Sequence, residues 1–319
     1  MTDGVILDTP PAQAAIVSSG LSRSYGEVRA LDNLNLSVPY GSIFGFLGRN
    51  GAGKTTTIRI LAGLAQPTAG TAWVAGVEAT RADSAARQRF GYLPQDPAFY
   101  RWMTPLEYLD YAAALFNIPG RERKQRVDEM LRLVDLKSAA KRSIGGFSGG
   151  MVQRLGIAQA LIHRPQVLFL DEPTSALDPA GRYEVLELIA TLRGKVTVFF
   201  STHILSDVER ICDSVAILHK GKLLLESGRE ELMNRYAVNT AELELDDGSA
   251  PLDGLAQTLR AQDWVESVET RQSLVRVTVS DLPRGKQALL PLVAASGLTF
   301  NRVEWVRPSL EEIFLKLSA

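Results

Sequence analysis

The chain has 319 residues, 45% of them hydrophobic and 22% charged, with a formal net charge of −1. Those values describe an ordinary globular chain of two or three domains and give no bulk electrostatic case for nucleic acid or an anionic membrane surface as partner. No apolar run approaches the roughly 18–20 residues that span a bilayer, so any membrane component has to come from another polypeptide. Cys212, the single cysteine, excludes an intrachain disulfide and reads as a small buried thiol in a reducing compartment.

Residues 1–14 carry Asp3, Asp8, Pro10 and Pro11 but no basic n-region, which predicts a mobile tail and not a secretion signal. Short strands follow at Ala15–Ser18, Ala30–Val38 and Ser42–Leu47, with Pro39-Tyr40-Gly41 as a turn between the last two. Tyr25 falls in the turn Ser24-Tyr25-Gly26. Its ring suits either stacking on a nucleotide base or packing on a sheet edge.

The stretch Gly48-Arg49-Asn50-Gly51-Ala52-Gly53-Lys54-Thr55 fits G-x-x-x-x-G-K-[ST], the phosphate-cradling loop. An apolar strand precedes it, and a helix running on from Thr55-Thr56-Thr57 toward Pro67 follows, which is the context the motif requires. Its glycines permit a tight turn that aims successive N–H groups at one centre, and the helix adds its unpaired donors and positive dipole end. Lys54 is then placed to reach the β- and γ-phosphates, and the Thr55 hydroxyl to hold Mg²⁺.

A strand at Arg89–Pro94 ends in Gln95-Asp96-Pro97, and the texture then turns helical. Thr104-Pro105 reads as an N-cap with proline at the first helical position, ahead of helices over Leu106–Phe116 and Arg121–Val134. Residues 97–147 are therefore expected to form a helical subdomain, with Arg121-Glu122-Arg123-Lys124 on a solvated face. Ser148 N-caps the next helix, Met151–Ile162, and presents Ser148, Gly149 and Gly150 at its N-terminus, a second ready anion site.

Val167–Leu170 is a continuous apolar strand of the buried parallel kind, ending in Asp171 and Glu172. Asp171 lies at the sheet edge where ligands gather and can hold Mg²⁺ opposite Thr55. Glu172, on the opposite side of an extended chain, can orient and deprotonate an attacking water. Helix 181–192, strand Lys195–Phe200, helix Ser206–Cys212 and strand Ser214–Leu218 continue an alternation that argues for a doubly covered parallel sheet. Beyond Tyr236 the order becomes β-α-β-β-α-β, a ferredoxin-like split unit, closed by a capping box at Ser309-Leu310-Glu311-Glu312 and a last helix.

Taken together, Tyr25, Gly48–Thr56, Gln95, Phe147-Ser148-Gly149-Gly150-Met151, Leu170-Asp171-Glu172, Ser175-Ala176-Leu177-Asp178 and Ser201-Thr202-His203 resemble the ordered motif set of ABC-type ATPases over about residues 15–235. The resemblance implies an α/β fold: a P-loop nucleotide-binding domain with a parallel-sheet core, an antiparallel β subdomain and a helical subdomain. A small α+β domain at 240–319 follows it. It also implies binding of ATP and Mg²⁺, with Tyr25 on adenine, Gly48, Arg49, Asn50, Gly51, Ala52, Gly53, Lys54, Thr55 and Thr56 around the phosphates, and Thr55, Gln95 and Asp171 at the metal. Glu172 becomes the general base, Gln95 a sensor of metal and water, and His203 a γ-phosphate contact. His163 and His219 keep structural readings.

By the same likeness, Ser148, Gly149 and Gly150 clamp an ATP held by a second copy of the chain, and Asp178 belongs to the loop crossing that dimer interface. Phe147 and Met151 stand where the family usually has leucine and glutamine, which leaves the backbone donors intact and puts a glutamine side-chain contact in doubt. The tail, ending Pro308-Ser309-Leu310-Glu311-Glu312-Ile313-Phe314, is similar to that of ABC-2-type exporter subunits, the daunorubicin-resistance type among them. That implies a separate integral-membrane permease docked near Gln95, export as the direction, and a cytoplasmic protein peripheral to the inner face of the membrane. The alternative is a soluble ABC ATPase in a non-transport process. A single cassette, with no room for a long coiled coil between Lys54 and Asp171, speaks against its translation-linked and DNA-repair forms.

Overall fold

The computed structural model describes residues 14–80, 87–235, 239–246 and 253–306. The expected N-terminal tail and the closing capping box and helix lie outside these residues. By internal packing the chain divides into two units, the break falling between Arg229 and Glu230.

The first unit runs β1 (Ala14–Tyr25), β2 (Val28–Pro39), β3 (Ile43–Gly48), α1 (Lys54–Leu61), β4 (Ala69–Val74), β5 (Val77–Glu78) and β6 (Phe90–Leu93). It continues with α2 (Pro105–Leu115), α3 (Gly120–Leu133), a 3-10 turn at Ile144–Gly146, α4 (Gly149–Leu161), β7 (Val167–Asp171), α5 (Pro179–Ala190), β8 (Thr197–Thr202), α6 (Leu205–Ile211), β9 (Ser214–His219) and β10 (Lys222–Gly228). Six strands form the central sheet in the order β10-β9-β3-β8-β7-β6. All neighbours in it are parallel except β10, which closes the edge antiparallel to β9. A second, antiparallel sheet has the order β2-β1-β4-β5.

The central strands are buried end to end, as parallel strands covered on both faces must be. Five aromatic rings fill the space beside them: Phe44 stacks on Phe199 at 5.5 Å, Phe46 lies 5.1 Å from Phe199, and Phe169 meets Phe90 and Phe199 edge-on. Ile58 and Leu61 of α1 join this core, so the helix that follows the phosphate loop is clamped to the sheet from below. At α2 the Thr104 side chain accepts from Glu107 N–H while the Glu107 carboxylate accepts from Thr104 N–H, a reciprocal cap that starts the helical segment.

The second unit contains α7 (Arg229–Arg235) at the break, then β11 (Thr240–Leu245), α8 (Asp253–Arg260), β12 (Val265–Arg271), β13 (Leu274–Val279), α9 (Leu282–Ala295) and β14 (Phe300–Val306). Its sheet has the order β12-β13-β11-β14 with every pair antiparallel, the strand arrangement of the split β-α-β motif. Leu243, Val275, Val277, Leu259, Leu289 and Val293 are among the residues of its own core.

Candidate active site

Three short connections at the ends of the parallel strands bring the chemistry together. After β3 the backbone enters the left-handed region at Gly51 (φ +79°) and Gly53 (φ +109°). A β-carbon at Gly53 would lie 2.5 Å from Ala30 O, so both space and conformation demand glycine there. Gly48 does not make the turn. It is required by close approach, since a β-carbon would sit 2.6 Å from Leu218 O on β9.

Lys54 turns back under this loop. Its Nζ donates to Gly48 O at 2.7 Å and Arg49 O at 3.3 Å, and forms a 2.9 Å ion pair with Glu172 Oε1. The two side chains are only 5% and 6% exposed, so each neutralises the other out of water. His203, after β8, lies with Nδ1 2.7 Å from Glu172 Oε2. A carboxylate can only accept, so the ring proton sits on Nδ1. Glu172 itself is not in an extended chain as expected. Its φ is +50°, and β7 ends one residue earlier, at Asp171. The carboxylate is aimed by a left-handed residue and not by strand alternation.

Asp171 is buried, with Thr55 Oγ1 donating to its Oδ1 at 3.2 Å and Ser201 Oγ donating to the same atom at 2.7 Å. Burial raises its pKa from the ordinary aspartate value, and the two hydroxyl bonds work against that shift. Tyr25, Asn50, Gly51, Gly53, Lys54, Thr55, Thr56, Gln95, Glu172 and His203 line one open cleft of about 430 Å³. Tyr25 closes β1 instead of standing in the turn, is 46% exposed, and has the Arg23 guanidinium 4.4 Å over its centroid.

Ser148, Gly149, Gly150 and Asp178 do not line that cleft. Ser148 caps α4 by accepting from Met151 N–H, and Asp178 caps α5 by accepting from Gly181 N–H. The two helix starts meet where a β-carbon on Gly150 would lie 3.3 Å from Gly181 Cα, and Ser148, Gly149 and Asp178 are all exposed there. The second expected anion site therefore faces outward from the chain that carries it.

Two supporting residues escaped the sequence reading. Gln153 on α4 donates to Gln95 O at 3.1 Å, tying that loop to the helix behind Ser148. Asp207, fully buried, accepts from Thr174 Oγ1 at 2.6 Å and Arg182 Nε at 2.7 Å, joining the segment after Glu172 to the helix after His203. Ser201, read from sequence only as the first residue of Ser201-Thr202-His203, bonds Asp171 Oδ1.

The donor set suits a hard cation shared with phosphates: one hydroxyl, one carboxylate and a nearby amide. Among the described residues no group of three or more His, Cys, Asp or Glu is arranged to hold a metal ion by itself. A metal here would draw its remaining ligands from phosphate oxygens and water, as Mg²⁺ does.

Residues 31–175 match the ABC transporter family, and residues 228–318 match the C-terminal domain of DrrA1-3-like ATP-binding proteins. An uncharacterized ABC transporter ATP-binding protein of Bacillus subtilis, YxlF, is 40% identical over 298 residues, covering 93% of this chain and 97% of that one. The chain belongs to the ABC transporter ATP-binding family. The bacitracin transport ATP-binding protein BcrA of Bacillus licheniformis is 38% identical, with 95% of this chain and 96% of BcrA aligned. Among solved structures, the dimeric post-hydrolysis state of the ATP-binding cassette MJ0796 with ADP and Pi superposes with a TM-score of 0.60 at 27% identity, covering 67% of this chain and 98% of that one.

Proposed function

We propose that this subunit binds and hydrolyses Mg-ATP and couples the cycle to a separate membrane permease that exports its substrate. One observation carries the reading: the phosphate loop, Glu172, His203 and Gln95 converge on a single cleft, with Asp171 directly behind Thr55. The family match and the hydrolysed nucleotide in MJ0796 support turnover. The DrrA-like C-terminal domain and the likeness to BcrA support transport of the ABC-2 exporter type.

In this reading Asn50–Thr56 hold the triphosphate through backbone donors and the α1 N-terminus, and Tyr25 stacks on adenine. Thr55 and Asp171, with Gln95 in the same cleft, would hold Mg²⁺, which would supply charge neutralisation at the phosphates. Lys54 exchanges Glu172 for the phosphates. That exchange frees Glu172 Oε1 to take the proton of an attacking water, while Oε2 keeps its bond to His203. Ser148–Gly150 of a second copy close over the γ-phosphate, with the Asp178 loops at the seam, in a two-fold head-to-tail pair.

No helix among the described residues is long and apolar enough to cross a membrane. In this reading the permease is a separate polypeptide, with this subunit on its cytoplasmic side. Tyr100, Trp102 and Tyr111, exposed by 51%, 76% and 43%, follow the Gln95 loop with rings 5.9–6.2 Å apart, an apolar aromatic face suited to dock that partner.

The test is Glu172→Gln. It should bind ATP, lose turnover by roughly 10²–10⁴-fold and accumulate as an ATP-bound dimer in size-exclusion chromatography. Hydrolysis at the wild-type rate would assign the base elsewhere.

A further inference from the structure

Ser201 stands at the join of the two acidic residues of the cleft and has no assigned role. The β7–β8 register places it directly beside Asp171. It is fully buried. Its Oγ donates to Asp171 Oδ1 at 2.7 Å and accepts from the Glu172 N–H at 3.0 Å. The same N–H also reaches Ser201 O, at 3.2 Å.

Resting on the function proposed above, we propose that Ser201 is a positioning residue for hydrolysis, one hydroxyl that sets the carboxylate of Asp171 and the backbone of Glu172 together. Two features make the hydroxyl matter. Asp171 Oδ1 has two hydroxyl donors, Thr55 and Ser201. Ser201, at 2.7 Å against 3.2 Å for Thr55, is the nearer donor and fixes the carboxylate rotamer from the neighbouring strand. Glu172 holds a left-handed backbone, φ +50°, that costs a non-glycine residue energy and persists only where its surroundings impose it. Ser201 receives the N–H of that residue, so its hydroxyl helps keep the carboxylate in reach of His203 and Lys54. The arrangement is an outer-shell partner serving a ligand and a base at once.

The experiment compares Ser201→Thr with Ser201→Val in the full chain. The two side chains have the same shape and differ by the hydroxyl, so any packing cost of the extra group cancels between them. With Ser201→Val, kcat should fall about 10–100-fold, KM for Mg-ATP should change less than about threefold, and the Mg²⁺ concentration for half-maximal ATP binding should rise about tenfold. Binding of ATP in EDTA should be equal in the two variants, and Ser201→Val, which lacks the two buried hydrogen bonds, should melt below Ser201→Thr. Ser201→Thr should return kcat and the Mg²⁺ midpoint to near wild type.

Equal turnover in Thr and Val, whether both normal or both lost, would overturn the proposal, as would an unmoved Mg²⁺ midpoint in Val. Glu172→Gln run alongside separates the two failures. Wild-type turnover in that variant would bring down the site reading and this inference with it. A dead Glu172→Gln with matched Thr and Val would remove Ser201 alone.

Discussion

The Lys54–Glu172 pair is the most consequential contact between two residues in the cleft. Both members are buried, and each is the neutralising charge of the other. Removing one strands its partner, at a cost of about 3–5 kcal/mol. Lys54→Met should therefore lower the unfolding free energy of the nucleotide-free protein by about that much in urea titration. Adding Glu172→Gln should recover most of the loss, and strictly additive effects would show that the two charges do not hold one another. Near the back of α4, His163 bonds Phe90 O at 3.0 Å and stacks on Phe116 at 4.0 Å. Burial lowers its pKa, with Arg126 adding to the effect and the Phe90 carbonyl opposing it. The unfolded chain then binds a proton that the folded one refuses. Stability from this site is complete above the ordinary histidine value near about 6.5 and is lost as pH falls from there toward the folded pKa. His163→Gln should flatten the dependence of melting temperature on pH between about 7 and 5. An unchanged slope would place the acid sensitivity elsewhere.

Among elements, α4 has the least slack. Gly91 of β6 lies so close under it that a β-carbon would meet Ala160 O at 2.0 Å. Gly91→Ala should push the helix off the sheet and cost about 1–3 kcal/mol, visible in thermal unfolding, together with weakened ATP response through Gln153 and Gln95. A neutral Gly91→Ala would mean that α4 slides freely on β6. At α2, Thr104→Ala should cost about 1 kcal/mol by the loss of its reciprocal cap. Its N-cap half was legible in Thr104-Pro105, as were β3, β7, α4 and the β-α-β-β-α-β run, because each carries a strong local signal: a buried apolar run, a cap or a clear alternation. β4 and β5 were not separately legible, and β10 was missed. In β10 Lys222, Leu224 and Glu226 alternate with half-buried neighbours, the pattern of a sheet edge. β1 was read too short because Ser18, Ser19 and Gly20 look like a break, whereas Ser18 is buried and bonded to Leu34 O. In the site, most residues lining the cleft were readable from motif, and Ser201 only as part of Ser201-Thr202-His203, whereas Gln153 and Asp207 were not. A serine in a strand or a glutamine in a helix has no local signature, and its meaning comes from a neighbour far along the chain.

For the molecule as a whole, every residue lining the cleft precedes Arg229, and the second unit has its own sheet and core. A chain ending at residue 239 should keep its Kd for ATP, measured by equilibrium binding, and lose assembly with its copy or with the permease. Full assembly and transport by the truncated chain would show that the C-terminal unit is needed for neither. Because Ser148 and Gly149 are exposed and lie outside the cleft of the chain that bears them, the proposed head-to-tail pair would put defects at the two places in different halves of one shared unit. Cells given a Lys54→Ala copy and a Ser148→Arg copy together should regain part of the activity that each lacks alone, for in the mixed pair one of the two seams is assembled wholly from undamaged parts.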